Sequence, residues 1–250
     1  MTAIRRAWTR EELLLALRLY HRTPFGQQHR THPPIVALAE RLGRTPGSIA
    51  MKLNNFTSLD PAERARGVVG LSGASQLDRA VWGEFEERPL DLVDEMEATA
   101  EAREIEPPAD EIPAGPSEAT GIVRVRRHQR FFRRVVLSSY GQRCCLTGNP
   151  FPALLRASHI LPWAASESER VNPRNGLCLN ALHDAAFDRG LITFDEATRL
   201  VLSPALRDAT TLDTLRENFQ LLEGSPLRAP EKNLPDPALL EWHREKVFVG

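Results

Sequence analysis

The feature that most limits how this 250-residue chain can fold is a run of acids and prolines near its middle. Residues 83–120 carry 13 Asp+Glu against 2 Lys+Arg, and Pro107, Pro108, Pro113 and Pro116 punctuate the stretch. So charged a segment cannot supply enough apolar surface to join a core, and its prolines stop any regular element after Ile105. Ahead of them, Leu90, Val93, Met96 and Ala100 fall on one stripe of an acidic helix. The chain should therefore divide into two modules, 1–88 and 121–250, joined by an acidic, proline-rich connector over 89–120.

Both flanking modules are basic. Residues 1–82 hold 12 Lys+Arg against 6 Asp+Glu and residues 121–250 hold 18 against 14, a segregation that the whole-chain charge of -1 conceals. Either module could meet phosphates, which gives the connector two readings: a solvated tether, favoured, or an internal mimic of nucleic acid lying in a basic groove. No apolar run approaches the roughly 20 residues of a membrane span, and MTAIRRAWTREE is no secretion signal, so a cytoplasmic protein with no membrane partner is expected. Cys144, Cys145 and Cys178 are too few for a disulfide framework and wrongly spaced for a four-ligand zinc site, so they read as small buried hydrophobes.

The first module reads as helices. Thr9 caps EELLLALRLYHR, Pro33 and Pro34 open IVALAERL before Gly43, and Thr45-Pro46 starts GSIAMKLNNF. The last two outline a helix-turn-helix, with Ile49, Leu53 and Phe56 facing inward. The opposite face, Arg44, Ser48, Lys52 and Asn55, could donate to phosphates and base edges and is the candidate recognition surface. The competing view is a protein-interaction domain whose polar face is merely solvated. Residues 59–85 are first glycine-rich, then helical, consistent with a wing or lid.

The second module opens with a helix, RVRRHQRFFRRVVLSSYG, whose apolar stripe is Phe131, Phe132, Val135, Val136 and Tyr140. Arg126, Arg127, Arg130 and Arg134 on its other faces are expected to grip the DNA backbone. Beyond it, LLRASHILPW forms a strand ending at His159, a polar loop follows, GLCL forms a second strand after Asn175, and Asn180 caps a helix with His183 in its first turn. This strand-loop-strand-helix order places His, Asn and His at fixed spacing. A histidine near its ordinary pKa can take a proton from water at neutral pH, so His159 is the candidate general base. Asn175 can bond loop backbone on both sides of its amide and orient that base. His183 is the candidate ligand for a cation that neutralises charge developing on the phosphorane. LITFDEATRLVLSP reads as a hairpin turning at Asp195–Ala197, closed by two C-terminal helices.

Together these segments resemble the HNH, or ββα-metal, endonuclease family, whose bacterial branch reads RCxxTG, L-x-x-x-HI-x-P, NGL-x-L and LH-x-x-FD-x-G. The corresponding residues are Arg143 to Gly148, Leu155 with His159-Ile160-Leu161-Pro162, Asn175 to Leu179, and Leu182-His183 with Phe187-Asp188-Arg189-Gly190. The resemblance implies an α+β chain: an N-terminal helix-turn-helix or winged-helix domain followed by a ββα-metal HNH nuclease domain. It also implies a general base at His159, a brace at Asn175, and at His183 a divalent cation, Mg²⁺ first and Mn²⁺ or another transition ion next. Many relatives place an Asp or His before the base; here Ser158 stands there, so either the cation has fewer protein ligands, with water and substrate phosphate completing its shell, or Asp184 or Asp188 contributes. Asp188 and Gly190 otherwise read as the end of the helix.

The expected function is a metal-dependent endonuclease on double-stranded DNA, of restriction type, with dependence on DNA modification left open as a variant of that reading. The alternatives are a DNA-binding regulator with a degenerate nuclease fold, and a nicking or homing-type nuclease of a mobile element. One active site attacks one strand, so double-strand cleavage needs a homodimer or two successive nicks.

Overall fold

A computed structural model describes residues 6–103, 105, 120–209 and 213–250. The proline-rich part of the connector, 106–119, lies outside them. The chain forms two compact units, Met1–Phe131 and Phe132–Gly250, and the boundary falls inside one helix, α7 (Thr120–Ser139).

The first unit is helical. Its centre is α1 (Arg10–His21), started by a capping box in which Thr9 Oγ1 accepts the Glu12 N–H and Glu12 accepts the Thr9 N–H at 3.0 Å. Leu13, Leu14, Leu17 and Tyr20 are buried, as their helical spacing predicts. Around α1 pack α2 (Pro33–Leu42), α3 (Pro46–Leu59), α5 (Gln76–Glu87) and α6 (Pro89–Ala102), while the short α4 (Pro61–Ala65) extends from α3. Gly43 ends α2 at φ 60°, a backbone that favours glycine, and Thr45 caps α3 through the Ser48 N–H.

The unit continues past residue 88. Leu92, Val93 and Met96 of α6 are fully buried, and Arg18 and Glu97 form a buried ion pair at 2.7 Å between α1 and α6. Three such side chains contribute roughly 1.5–3 kcal/mol each. Exposed ion pairs contribute about 0–1 kcal/mol, so the apolar stripe, rather than the acids, holds α6 down. The first half of the acidic connector is thus a packed helix.

The expected recognition face is largely buried. Lys52 Nζ lies 2.7 Å from Asp78 Oδ2 with both side chains inside the unit, and Asn55, also buried, reaches the same carboxylate at 3.5 Å. Arg44 pairs with Glu12 at 2.6 Å and stacks 4.0 Å over Trp8, and Ser48 Oγ bonds back to the Thr45 carbonyl at 2.9 Å. The sequence pattern assumed one packed face for α3. Neighbours α1, α2 and α5 instead surround it, and Asp78 of α5 meets the polar residues that would have faced DNA.

The N-terminal half of α7 departs from expectation in the same way. Arg127 bonds Asp94 at 3.0 Å and Glu101 at 2.7 Å, Arg130 pairs with Glu101, and Arg124 reaches Asp91 at 2.6 Å. The acids of α6 therefore occupy arginines expected to meet phosphate. Arg126 is half-buried and forms no ion pair among the described residues.

In the second unit, β1 (Leu155–His159) pairs antiparallel with β2 (Gly176–Asn180), His159 opposite Gly176, and α8 (Ala181–Asp188) follows directly. The expected hairpin is β3 (Ile192–Phe194) with β4 (Leu200–Leu202). Three helices complete the unit: α9 (Pro204–Asp208), α10 (Asp213–Asn218) and α11 (Pro237–Lys246). Its core gathers Val136, Leu155, Leu177, Phe187, Phe194 and Leu240, together with Cys144, Cys145 and Cys178, which are free and buried as expected.

Two glycines set the close approaches. A Cβ on Gly176 would sit 2.3 Å from Val136 Cγ2 and 3.0 Å from Phe132 Cζ, so only glycine lets α7 lie this near β2. Gly190, at φ 68°, ends α8, and a Cβ there would sit 2.0 Å from the Val247 carbonyl oxygen. Among the described residues no helix is long and apolar enough to cross a membrane.

Candidate active site

β1 delivers His159 to a cleft of about 370 Å³ whose lining includes Ser158, Trp163, Asp184 and Asp188. The imidazole stacks on Phe132 with centroids 3.7 Å apart and planes 9° from parallel, and Trp163 meets it edge-on at 5.7 Å. His159 Nε2 lies 3.1 Å from the Arg170 carbonyl oxygen. A carbonyl only accepts, so Nε2 carries the proton and Nδ1 keeps the lone pair. Burial lowers the His159 pKa, and the Arg170 carbonyl opposes that by favouring the charged form. The ring is thereby held neutral, with Nδ1 as its proton acceptor.

Asn175 fixes the loop that supplies that carbonyl. Fully buried, its Oδ1 accepts the Leu161 N–H at 2.7 Å, and its Nδ2 donates to the Leu161 and Glu169 carbonyls at 3.0 and 3.1 Å. Its own carbonyl accepts the Ile160 N–H at 2.9 Å. One amide therefore ties Leu161, two residues past β1, to Glu169, the residue before Arg170, closing the loop from both ends.

The structure does not bring His183 to the cleft. At the third position of α8 it is fully buried: Nε2 donates to the Asn218 carbonyl at 2.7 Å, Nδ1 faces Cys144 Sγ at 4.0 Å, and Phe219 covers it edge-on. With both nitrogens engaged in the core, it orders α8 and does not present a ligand. The Cys144 thiol shares the arrangement. Burial would raise its pKa, but its contacts with His183, Thr147 and the backbone lower it to about 6.

Asp184 and Asp188 stand at the cleft instead, one turn apart on α8 and so on one face. Burial raises the Asp184 pKa, while Ser158 and Arg156 favour its charge. Asp188 is raised by partial burial and by the Asp184 charge; since Asp188 is exposed at the rim, the like charge is the weightier cause. Ser158 Oγ is buried without a well-formed hydrogen bond, although it approaches Asp184 closely enough to stabilise that carboxylate.

Residues 144–195 match the HNH endonuclease family HNH_2. No curated protein is significantly similar to the chain. An HNH segment implies nuclease activity on nucleic acid, and its span contains His159, Asn175, Asp184 and Asp188. Asp184 and Asp188 stand four residues apart on α8, and that helical spacing, rather than residue type, was the signal for the outward face.

HNH nucleases generally depend on a divalent metal. Among the described residues no group of three or more His, Cys, Asp or Glu side chains stands together to hold one. What is present is a pair of carboxylates, Asp188 raised in pKa by burial and by the Asp184 charge, beside a hydroxyl that lacks a good partner. That set fits a hard cation such as Mg²⁺, which takes one or two carboxylates and fills its shell with water and substrate phosphate; it does not fit the four-ligand N/S set of a structural zinc.

Proposed function

We propose that this chain is a metal-dependent DNA endonuclease of restriction type, with His159 as general base, Asn175 as brace, and Asp184 with Asp188 as the carboxylates that hold the cation. The observation that carries the reading is the Arg170 carbonyl on His159 Nε2, which leaves Nδ1 free to accept a proton in a cleft shared with two carboxylates. Nδ1 takes a proton from water, the water oxygen attacks phosphorus, and the bond to the 3′ oxygen breaks. Phe132 and Trp163 pack against the imidazole and fix its plane during that transfer. A bound divalent cation would supply charge neutralisation at the phosphate and the leaving oxygen.

The restriction role draws support from the joining of a nuclease unit to a separate helical unit. Selection of DNA by that unit would use a surface other than Lys52 and Asn55. The test is cleavage of methylated and unmethylated plasmid with Mg²⁺ or Mn²⁺, comparing wild type with His159→Ala and sequencing the ends. Wild-type cleavage with loss of roughly 10²–10⁴ in rate for His159→Ala is expected. DNA left intact by the wild type under every condition would overturn the assignment.

A further inference from the structure

On the second unit, the loop between Asn149 and β1 holds two large apolar side chains out in water. Phe151 is 65% exposed and Leu154 is 51% exposed. The loop is nevertheless built to a fixed shape. Asn149 Oδ1 accepts the Phe151 N–H at 3.0 Å, the Leu154 N–H returns to the Phe151 carbonyl at 2.9 Å, and Pro150 and Pro152 restrict the backbone. Arg133 holds it from below, donating to the Leu155 carbonyl at 2.8 Å and the Pro152 carbonyl at 3.3 Å. A loop this constrained cannot fold its apolar tips away from solvent, which singles it out as a contact surface.

Its electrostatic setting indicates the partner. From Phe132 to Ser166 the chain has four arginines and no Asp or Glu. Of these, Arg143 and Arg156 form no ion pair among the described residues; Arg156 bonds the Ala153 and Leu155 carbonyls and lines the cleft beside His159. A partner that offers anions around an apolar, stacked interior is a nucleic-acid duplex. We propose that Pro150–Leu154 is a wedge: Phe151 and Leu154 press on a base step next to the scissile phosphate while Arg143 and Arg156 take flanking phosphates. The proposal rests on the nuclease reading and adds how the substrate is held and deformed at the cut.

The test uses the full chain carrying His159→Ala, so that binding is read without cleavage, and short random-sequence DNA duplexes containing 2-aminopurine. The wedge-intact protein should raise 2-aminopurine emission as a step unstacks. Phe151→Ala with Leu154→Ala should abolish that rise and weaken duplex binding roughly tenfold or more, with an unchanged melting temperature because both side chains are exposed. Phe151→Trp should retain both signals. The wedge is refuted if the double alanine variant binds and unstacks as before, or if the wedge-intact protein binds no duplex. It is also refuted if the alanines dissociate a dimer while DNA binding persists, which would assign the loop to a second copy of the chain. Failure of the nuclease reading shows separately, as plasmid that the wild type leaves uncut.

Discussion

Asn175→Ala should separate the brace from the base. The substitution removes three hydrogen bonds from a fully buried position: one accepted from the Leu161 N–H and two donated to the Leu161 and Glu169 carbonyls. At about 1 kcal/mol net for each bond, the loop loses on the order of 3 kcal/mol, more if its partners stay unpaired and dry. A loss of that size corresponds to roughly a hundredfold rise in local opening. Hydrogen exchange at the Leu161 amide, whose acceptor is deleted, should accelerate by about that factor. Because the same loop carries the Arg170 carbonyl, turnover should fall by on the order of 10² even at saturating substrate. Asn175→Asp should be no milder: it keeps an acceptor for Leu161 N–H but turns an oxygen toward two carbonyl oxygens. Asn175→Ala with unchanged Leu161 exchange and turnover within about threefold of wild type would show that the loop holds itself and that the reasoning fails.

Replacing His183 by Leu should lower stability by about 1–3 kcal/mol, since a buried bond to the Asn218 carbonyl is lost, without moving the Mg²⁺ dependence of cleavage; Asp188→Asn should raise the Mg²⁺ requirement on the order of tenfold or more, as titration will show. The pH profile of kcat/KM should fall on the acid side only. His159 must be neutral to accept a proton and burial lowers its pKa, so the midpoint should lie below the ordinary 6.5, and a midpoint above it would contradict the buried-base geometry. Stability should also decline in acid. His243 is held neutral by burial, with its pKa lowered to about 4, so the unfolded chain binds its proton first and stability is lost as pH falls from 6.5 toward 4. That loss amounts to about 3 kcal/mol in denaturant melts, and should largely vanish in His243→Gln. Gly190→Ala should lower the melting temperature sharply, because the new methyl would meet the Val247 carbonyl at 2.0 Å from a left-handed backbone.

Much of the second unit was legible because its local signals agreed: short apolar runs at β1 and β2, an Asn cap on α8, a turn at Asp195. Motif spacing singled out His159 and Asn175, and the structure places the first in the cleft and the second against the loop beside it. His183 misled because residue type suggests a ligand, while the direction of a side chain on a short helix depends on register, and a shift of one position turns it from cleft to core. In the first unit, periodicity located α1, α2 and α3 but could not count their neighbours. Lys52 and Asn55 look solvent-facing from α3 alone; only α5, brought across by a long connection, supplies the Asp78 that buries them. The arginines of α7 were misjudged for a related reason, since their acidic partners lie some thirty residues back in a segment that composition presents as a tether.

In the proposed mechanism the group that sets the working tautomer of His159 is a main-chain oxygen. Every amino acid offers that oxygen, so position 170 could drift to almost any residue without changing which imidazole nitrogen does the work. Position 175 has no such latitude, because only a carboxamide of that length presents one acceptor and two donors to those three backbone groups. Variation among descendants of this chain should therefore spare the asparagine while leaving the arginine side chain to other demands.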